Sequence, residues 1–313
     1  MDFDHHSLVP PDPIFLRIGN LPPIHWYAIF IFVGIGLAVF ASIREGKRRG
    51  ISSELFFDLV AFGIPLSILG ARLYFVIFSS NSLAWYLQNP IRIIATWEGG
   101  LAIHGGIIVA GLYAWWYLKR KDIPVLPILD IVAVGFFIGQ IVGRFGNFVN
   151  QEAHGYAINA GSLDAQREFL TSLLIPEFIV NGMFINGNYY HPTFLYEALW
   201  NVIGLVIAVF VLRRVSKVLI GEIAAFYAIW YSFGRIFIES LRTDSLMLGS
   251  FRVAQMISIA TIVAVVILVL YRRKKEVSLI PYSTFNLEEW NRDRKKSKKK
   301  NSKKKNSKGK KGR

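Results

Sequence analysis

The sequence predicts an all-α, polytopic membrane protein with seven transmembrane helices, its N-terminus outside and its C-terminus in the cytoplasm. Three observations predict it: the composition, the spacing of long apolar runs, and the placement of basic residues between them. Of 313 residues, 53% are hydrophobic, mean hydropathy is +0.40, and the chain holds 24 Phe and 8 Trp. Soluble domains do not carry this composition in long uncharged runs. Crossing the hydrocarbon core takes about 20 mostly apolar residues. Runs of that kind are Ile24–Ile43, Leu55–Phe78, Leu101–Leu118, Val125–Val142, Phe194–Leu212, Leu219–Ile238 and Val253–Tyr271.

The first run reads as a span rather than a signal peptide, because a polar, Pro-rich stretch precedes it and no small-residue cleavage site closes it. Basic residues mark cytoplasmic ends. Arg44, Lys47, Arg48 and Arg49 follow the first run, and Lys119, Arg120 and Lys121 follow the third. Arg213, Arg214 and Lys217 follow the fifth, and Arg272 to Lys275 follow the seventh. These clusters share one side only if the spans number seven. The resulting divisions are an extracytoplasmic segment 1–23, a membrane domain 24–271 with an outer loop 144–193, and a basic, disordered cytoplasmic tail 272–313. Of the net charge of +15, +13 sits in Asn291–Arg313, which has 14 Lys/Arg against Asp293. A run of this kind repels itself and buries nothing. Anionic inner-leaflet lipid is its expected partner, ahead of nucleic acid.

Polar residues within apolar runs are expensive and therefore candidates for function. In the fourth run, Gly135, Gly139 and Gly143 form a small-residue stripe suited to close helix packing. "GRFGNFVNQE" follows, and Arg144 and Asn147 share a face if the helix continues. Arg144 alone would read as an arginine snorkelling to the interface; Asn147, Asn150 and Glu152 beside it argue for a site. The sixth run ends in "GRIFIESLR", where Arg235, Glu239 and Arg242 lie at i, i+4 and i+7. That stripe serves equally as an ion-paired helix end. His104, within "WEGGLAIHGG", is either a hydrogen-bonded core residue or a proton acceptor with a pKa near neutrality. Tyr27 reads first as an aromatic-belt residue. Arg72 in the second run and Tyr196, Glu197 and Asn201 in the fifth add polarity at what the topology makes the outer level.

Arginines near the outer leaflet suit a phosphate-bearing lipid, because guanidinium pairs with phosphate through parallel hydrogen bonds and stays charged. The six histidines show no H-E-x-x-H or comparable ligand spacing, so a metal site is not expected. No G-x-S-x-G elbow is present. The chain has no cysteine, so any thiol chemistry must use the substrate's thiol.

"GRFGNFVNQEAHG" resembles the signature of the prolipoprotein diacylglyceryl transferase family, Gly-Arg-x-Gly/Ala-Asn-Phe-x-Asn-x-Glu-x-x-Gly, through Gly155. "HWYAIF", "GARLYFVIF", "WEGGLAIHGG", "HPTFLYEAL" and "GRIFIESLR" resemble further blocks of that family in the expected order, over Ile24–Tyr271. The resemblance implies a bacterial cell-membrane enzyme without a cofactor, whose site opens to the outer leaflet. It would move the diacylglyceryl group of phosphatidylglycerol to the lipobox cysteine of a prolipoprotein signal peptide and release glycerol 1-phosphate. Arg144 and Arg235 then fall on the family's essential arginines and Glu239 on the neighbouring acid. His104, Asn147, Glu152, Gly155 and Tyr27 fall on its other important positions. On this basis His104, Arg144, Arg235, Glu239 and Tyr27 are catalytic candidates, and Arg144, Asn147, Glu152, Gly155 and Arg235 are candidates for binding phosphatidylglycerol. The thiol proton is taken either by His104 or by solvent after the arginine field has lowered the thiol pKa. The competing readings are an anion transporter and a scaffold with a structural polar cluster; no internal repeat supports the former.

Overall fold

A computed structural model describes residues 4–19, 22–79, 83–96, 99–277 and 279–296. In chain order the strands and helices are β1 (Ile14–Leu16), β2 (Ile24–His25), α1 (Trp26–Arg48), α2 (Ser53–Phe78), α3 (Leu83–Gln88), α4 (Ile91–Ile94), α5 (Ile103–Arg120), α6 (Val125–Val149), α7 (Leu163–Ser172), α8 (Glu177–Gly182), β3 (Phe184–Ile185), β4 (Asn188–Tyr189), α9 (Thr193–Val206), α10 (Glu222–Leu241), β5 (Met247–Leu248), β6 (Phe251–Arg252) and α11 (Val253–Lys274). Among the described residues the strands pair as three short antiparallel two-stranded sheets. The helix begun by α9 continues through a π-type segment, Ile207–Val211, and a 3-10 turn to Arg214.

By length and composition, α1, α2, α6, Thr193–Arg214 and α11 are each able to cross a membrane. The chain is a helical, polytopic membrane protein. Helices α5 and α10 are 18 and 20 residues long but carry more charge: Lys119 and Arg120 end the first, and Glu222, Arg235 and Glu239 lie in the second.

The chain forms two compact units, Met1–Ser42 with Leu129–Thr284 and Ile43–Ile128 with Phe285–Arg313. In the second unit α2 packs on α5 through glycines, and a Cβ at Gly105 would collide with the Gly70 carbonyl oxygen. Arg72 is buried and donates to the carbonyls of Arg92 (2.5 Å), Gly99 (2.6 Å), Gly100 (3.2 Å) and Ile93 (3.2 Å). Gly99 and Gly100 make this clamp possible by taking left-handed backbone angles (φ 80 and 69). Arg72 thus holds a loop in place.

The expectation of a disordered segment from residue 272 does not hold for its described part. Tyr282 is fully buried in the first unit, where its amide donates to the Val218 carbonyl. In the second unit Phe285 and Leu287 are buried, the Leu287 amide donates to the Arg49 carbonyl, and residues 287–296 are helical. Net charge obscured this, because three large apolar side chains precede the lysine run and supply the burial that the run lacks. Most of the lysines lie outside the described residues.

In the first unit the α6 glycine stripe packs against α1 at Gly135 and Gly139, whereas a Cβ on Gly143 would meet open space. A Cβ on Gly135 would meet Ser42 Oγ and Ala38 of α1 at 3.2–3.3 Å, and one on Gly34 would touch the Gly139 backbone at 3.4 Å. Asp130 of α6 is fully buried and accepts hydrogen bonds from the amides of Gly221 (2.5 Å) and Ala224 (2.8 Å). It therefore caps α10 from another helix, satisfying amides that helix geometry leaves open. Helices α9 and α10 are pinned by Trp200 and Trp230, whose rings stack at 4.2 Å and whose indole N–H groups each donate to the other's carbonyl at 2.9 Å. Between α6 and α9 lies a small subdomain with its own core, which includes Phe148, Leu170, Ile179, Val180, Tyr189 and Phe194. Phe148 and Phe194 belong to α6 and α9, so this core fixes the ends of the two helices that carry the polar cluster.

Candidate active site

Helix α6 does not stop at Val142, where the apolar run ends, but continues to Val149. Arg144 and Asn147 are therefore one turn apart on the same helix, with Arg144 Nη1 3.4 Å from Asn147 Oδ1. The chain then turns sharply through Gln151 and Ala153 (φ 48 and 55), strained positions for side-chain-bearing residues. The turn is held by the Glu152 amide, which donates to the Asn147 carbonyl at 3.0 Å, and by Thr193 Oγ1, which donates to the Ala153 carbonyl at 2.5 Å. It brings Glu152 back so that Asn147 Nδ2 donates to it at 2.8 Å. Tyr27 lies across the same turn of α6, where a Cβ on Gly146 would meet its ring at 2.7 Å.

Glu197, on α9, is the hub. Its carboxylate, 5% exposed, forms ion pairs with Arg144, with Arg235 (3.2 Å) and with Arg242 (3.8 Å). Arg235 also lies 2.7 Å from Glu239 Oε2, a contact without hydrogen-bond alignment. Arg242 is held by both oxygens of Asp244 (2.9 and 2.7 Å). The Arg242 hydrogen bond pulls the Asp244 carboxyl below its ordinary range, against the opposing effect of burial. Arg252 donates to the Glu239 carbonyl and to Tyr156 Oη (3.0 Å). Arg144, Arg235 and Arg242 thus meet the carboxylates of Glu197, Glu239 and Asp244, and positive charge that would be expensive in the bilayer is offset by these acids.

Gly155 is the junction of three segments. Its amide donates to the His191 carbonyl (2.9 Å), and the next amide donates to the Leu241 carbonyl (2.9 Å). A Cβ there would come within 2.7 Å of His191 Cβ. The His191 ring, close to Tyr196 Oη at 3.3 Å, is pushed toward its neutral form by burial. In the second unit, His104 opens α5, exposed and without a hydrogen bond among the described residues, its ring 6.0 Å from that of Tyr74.

The cluster's chemistry is that of an anion site: planar guanidiniums converge, with donors to spare, on a position now filled by a carboxylate. The family model described as prolipoprotein diacylglyceryl transferase matches residues 13–271. The chain belongs to that family. Among curated proteins named phosphatidylglycerol–prolipoprotein diacylglyceryl transferase, one from Bacillus licheniformis is 46% identical over 272 residues, covering 87% of this chain and 96% of the relative. Those from Bacillus cytotoxicus and Bacillus velezensis are also 46% identical, over 263 and 267 residues, covering 84% and 85% of this chain and 93% and 94% of theirs.

For a diacylglyceryl transferase, sequence reasoning underrated Glu197, which stood only among polar residues entering the fifth run. It left Arg242 in a helix stripe and passed over Arg252. A signal existed: both arginines flank spans on the side the topology makes outer, where basic residues are disfavoured.

Proposed function

We propose that this chain transfers the diacylglyceryl group of phosphatidylglycerol to the thiol of a lipobox cysteine in a prolipoprotein signal peptide, forming a thioether and releasing glycerol 1-phosphate. It does so from the outer leaflet of a bacterial cell membrane that it spans seven times, N-terminus outside. Family membership supports the reaction. The orientation is supported by the basic clusters after alternate spans, and the spans by seven helical segments of 18 or more residues among the described residues.

The observation that carries the site assignment is the convergence of Arg144, Arg235 and Arg242 on Glu197. In this reading the phosphate takes up the guanidinium donors that Glu197 shares. The thiolate attacks the glyceryl carbon, the carbon–oxygen bond to phosphate breaks, and the electron pair leaves on the phosphate oxygen, where Arg144 and Arg235 stabilise it. Glu239 and Glu197 orient Arg235, while Asn147, held by Glu152, steadies Arg144. Tyr27 packs the Arg144 turn from the side, and Gly155 keeps the loop close. A free thiol has a pKa of about 8.5, so the attacking sulfur needs activation. The proton goes either to His104 or to water under the arginine field.

The test is transfer from labelled phosphatidylglycerol to a lipobox peptide by purified protein. Wild type should produce the thioether and glycerol 1-phosphate. Arg144→Lys, which keeps charge but loses the planar fork, should lose transfer severely while inserting normally. Wild-type rates in that variant would remove the headgroup role, and absence of transfer by wild type would remove the reaction.

A further inference from the structure

β5 and β6 form a hairpin between α10 and α11, with Met247 opposite Arg252 and Leu248 opposite Phe251. The two-residue turn Gly249–Ser250 joins them, and Gly249 takes the positive φ (60) that the first position of such a turn favours. Directly opposed residues share a face of a strand pair, and successive residues alternate between faces. One face therefore carries Met247 and Arg252, the other Leu248 and Phe251. The first turns toward the protein, where Arg252 donates to the Glu239 carbonyl and to Tyr156 Oη (3.0 Å). The second turns away, with Leu248 65% and Phe251 66% exposed. No charged residue stands between Asp244 and Arg252, and Leu246 is exposed as well. Contiguous exposed apolar surface of this kind marks an interaction site.

The hairpin's place in the chain decides what covers it. β6 runs straight into α11 at Val253, whose amide closes the hairpin base on the Leu246 carbonyl (3.0 Å). α11 rises about 33 Å over its 22 residues, against a hydrocarbon core of about 30 Å, and ends on Arg272, Arg273 and Lys274. With those charges at one membrane surface, Val253 lies at the hydrocarbon edge of the opposite leaflet. Phe251 stands two residues before Val253, and Leu248 stands opposite it, so both lie within about 7 Å of that edge at ~3.4 Å per residue. That depth is the headgroup–acyl boundary, where amphipathic elements bury apolar side chains. The patch also continues the exposed apolar side of α11, on which Met256, Ile257 and Ile259 follow.

We propose that the β5–β6 hairpin is an interfacial anchor whose Leu248–Phe251 face is buried in the lipid surface at the Val253 end of α11, the outer leaflet in the proposed orientation. Its partner is the bilayer surface itself, whatever headgroup that surface carries, because the face holds no charge with which to select one. The stem gives the anchor a consequence. Arg252 and Ser245 Oγ (3.4 Å) both donate to the Glu239 carbonyl, and Asp244 holds Arg242 through two hydrogen bonds. The depth of the hairpin is thereby passed to the end of α10, where Arg235, Glu239 and Arg242 stand. The lipid surface then sets the height of those arginines.

The chain has no cysteine, so a single introduced cysteine takes a single fluorophore. Full-length Leu248→Cys, labelled with a nitrobenzoxadiazole group and reconstituted in phosphatidylcholine vesicles, is exposed to lipids brominated near the carbonyl end of the chain and to aqueous iodide. The label should be quenched by bromolipid and shielded from iodide, and Phe251→Cys should repeat this from the opposing strand. Met247→Cys, on the other face, should show less bromolipid quenching, while Ile259→Cys in α11 gives the lipid-exposed reference. Iodide quenching without bromolipid quenching at both Leu248→Cys and Phe251→Cys would overturn the proposal and leave the face to water or to another protein. Equal bromolipid quenching in Met247→Cys and Leu248→Cys would overturn it too, since a label entering the bilayer by its own affinity ignores the face. Transfer is a second readout, and it rests on the transferase reading where the quenching does not. Leu248→Ser with Phe251→Ser should lower transfer from bilayer phosphatidylglycerol and spare transfer from a short-chain phosphatidylglycerol dissolved as monomers. Equal losses on both would refute the setting of arginine height, whereas no transfer by wild type would refute the transferase reading and leave the anchor to be decided by the quenching.

Discussion

Replacing Glu197 by Gln keeps the shape of the side chain and removes the negative charge on which three arginines converge. The consequences differ among the three. Arg235 keeps Glu239 at 2.7 Å, and Arg242 keeps both oxygens of Asp244. Arg144 keeps only Asn147, at 3.4 Å. The loss therefore falls on Arg144, now facing two guanidiniums without a shared counter-ion. A hydrogen bond to a charged group contributes about 1.5–3 kcal/mol. The guanidiniums are 12–17% exposed, so solvent screens part of the charge. About 2 kcal/mol in the positioning of Arg144 is then a reasonable expectation, or roughly a thirtyfold fall in kcat/KM, at 1.36 kcal/mol per factor of ten. The assay is transfer from labelled phosphatidylglycerol to a lipobox peptide, on protein matched for folded amount by thermal melting. In an Arg144→Lys background the same Glu197 substitution should matter much less, since the group it positions is gone. Wild-type kcat/KM in Glu197→Gln, or full additivity with Arg144→Lys, would refute the reasoning.

His104→Gln should cut transfer by about 10²–10⁴-fold if the histidine takes the thiol proton, with the deficit shrinking as pH rises toward the thiol pKa; pH–rate profiles parallel to wild type would leave activation to the arginines. Asp130→Ala strands the Gly221 and Ala224 amides, and should cost about 3 kcal/mol, seen as a melting temperature roughly 5–10 °C lower in detergent. Truncation after Lys296 should leave melting and transfer unchanged, whereas truncation after Glu276 removes buried Tyr282, Phe285 and Leu287 and should cost about 5 kcal/mol. For His191, burial lowers the folded pKa below 6.5, so below that pH the unfolded chain binds more protons. Stability should therefore fall as pH drops from about 7 to 5, and the slope should flatten in His191→Gln when melting is followed across that range.

The helical, polytopic membrane character was legible because apolar length is a property of the chain before it folds. The glycine stripe at Gly135 and Gly139 was legible for the same reason: a spacing of four makes one helix face, whatever that face meets. Helix ends were less so. Hydropathy ended the fourth span at Val142, but α6 runs on to Val149, since Arg144 and Asn147 find lateral partners instead of water. Arg72 and Arg144 look alike in sequence, each an arginine in an apolar run. One is spent on backbone carbonyls of a loop, and the other faces a carboxylate from a helix some 50 residues away in the chain.

Composition and motif spacing were enough to establish a helical membrane protein, to single out Arg144 and Arg235, and to point to the family. They had no means of ranking Glu197 above its neighbours. Its weight comes from α6, α9 and α10 meeting at one point, and that meeting depends on remote contacts: Asp130 capping α10, Trp200 locked to Trp230, and Gly155 joining three strands of backbone. Hydropathy along a chain is local, whereas the energy of a buried charge depends on which other charges lie within a few ångströms. Only folding brings those partners together.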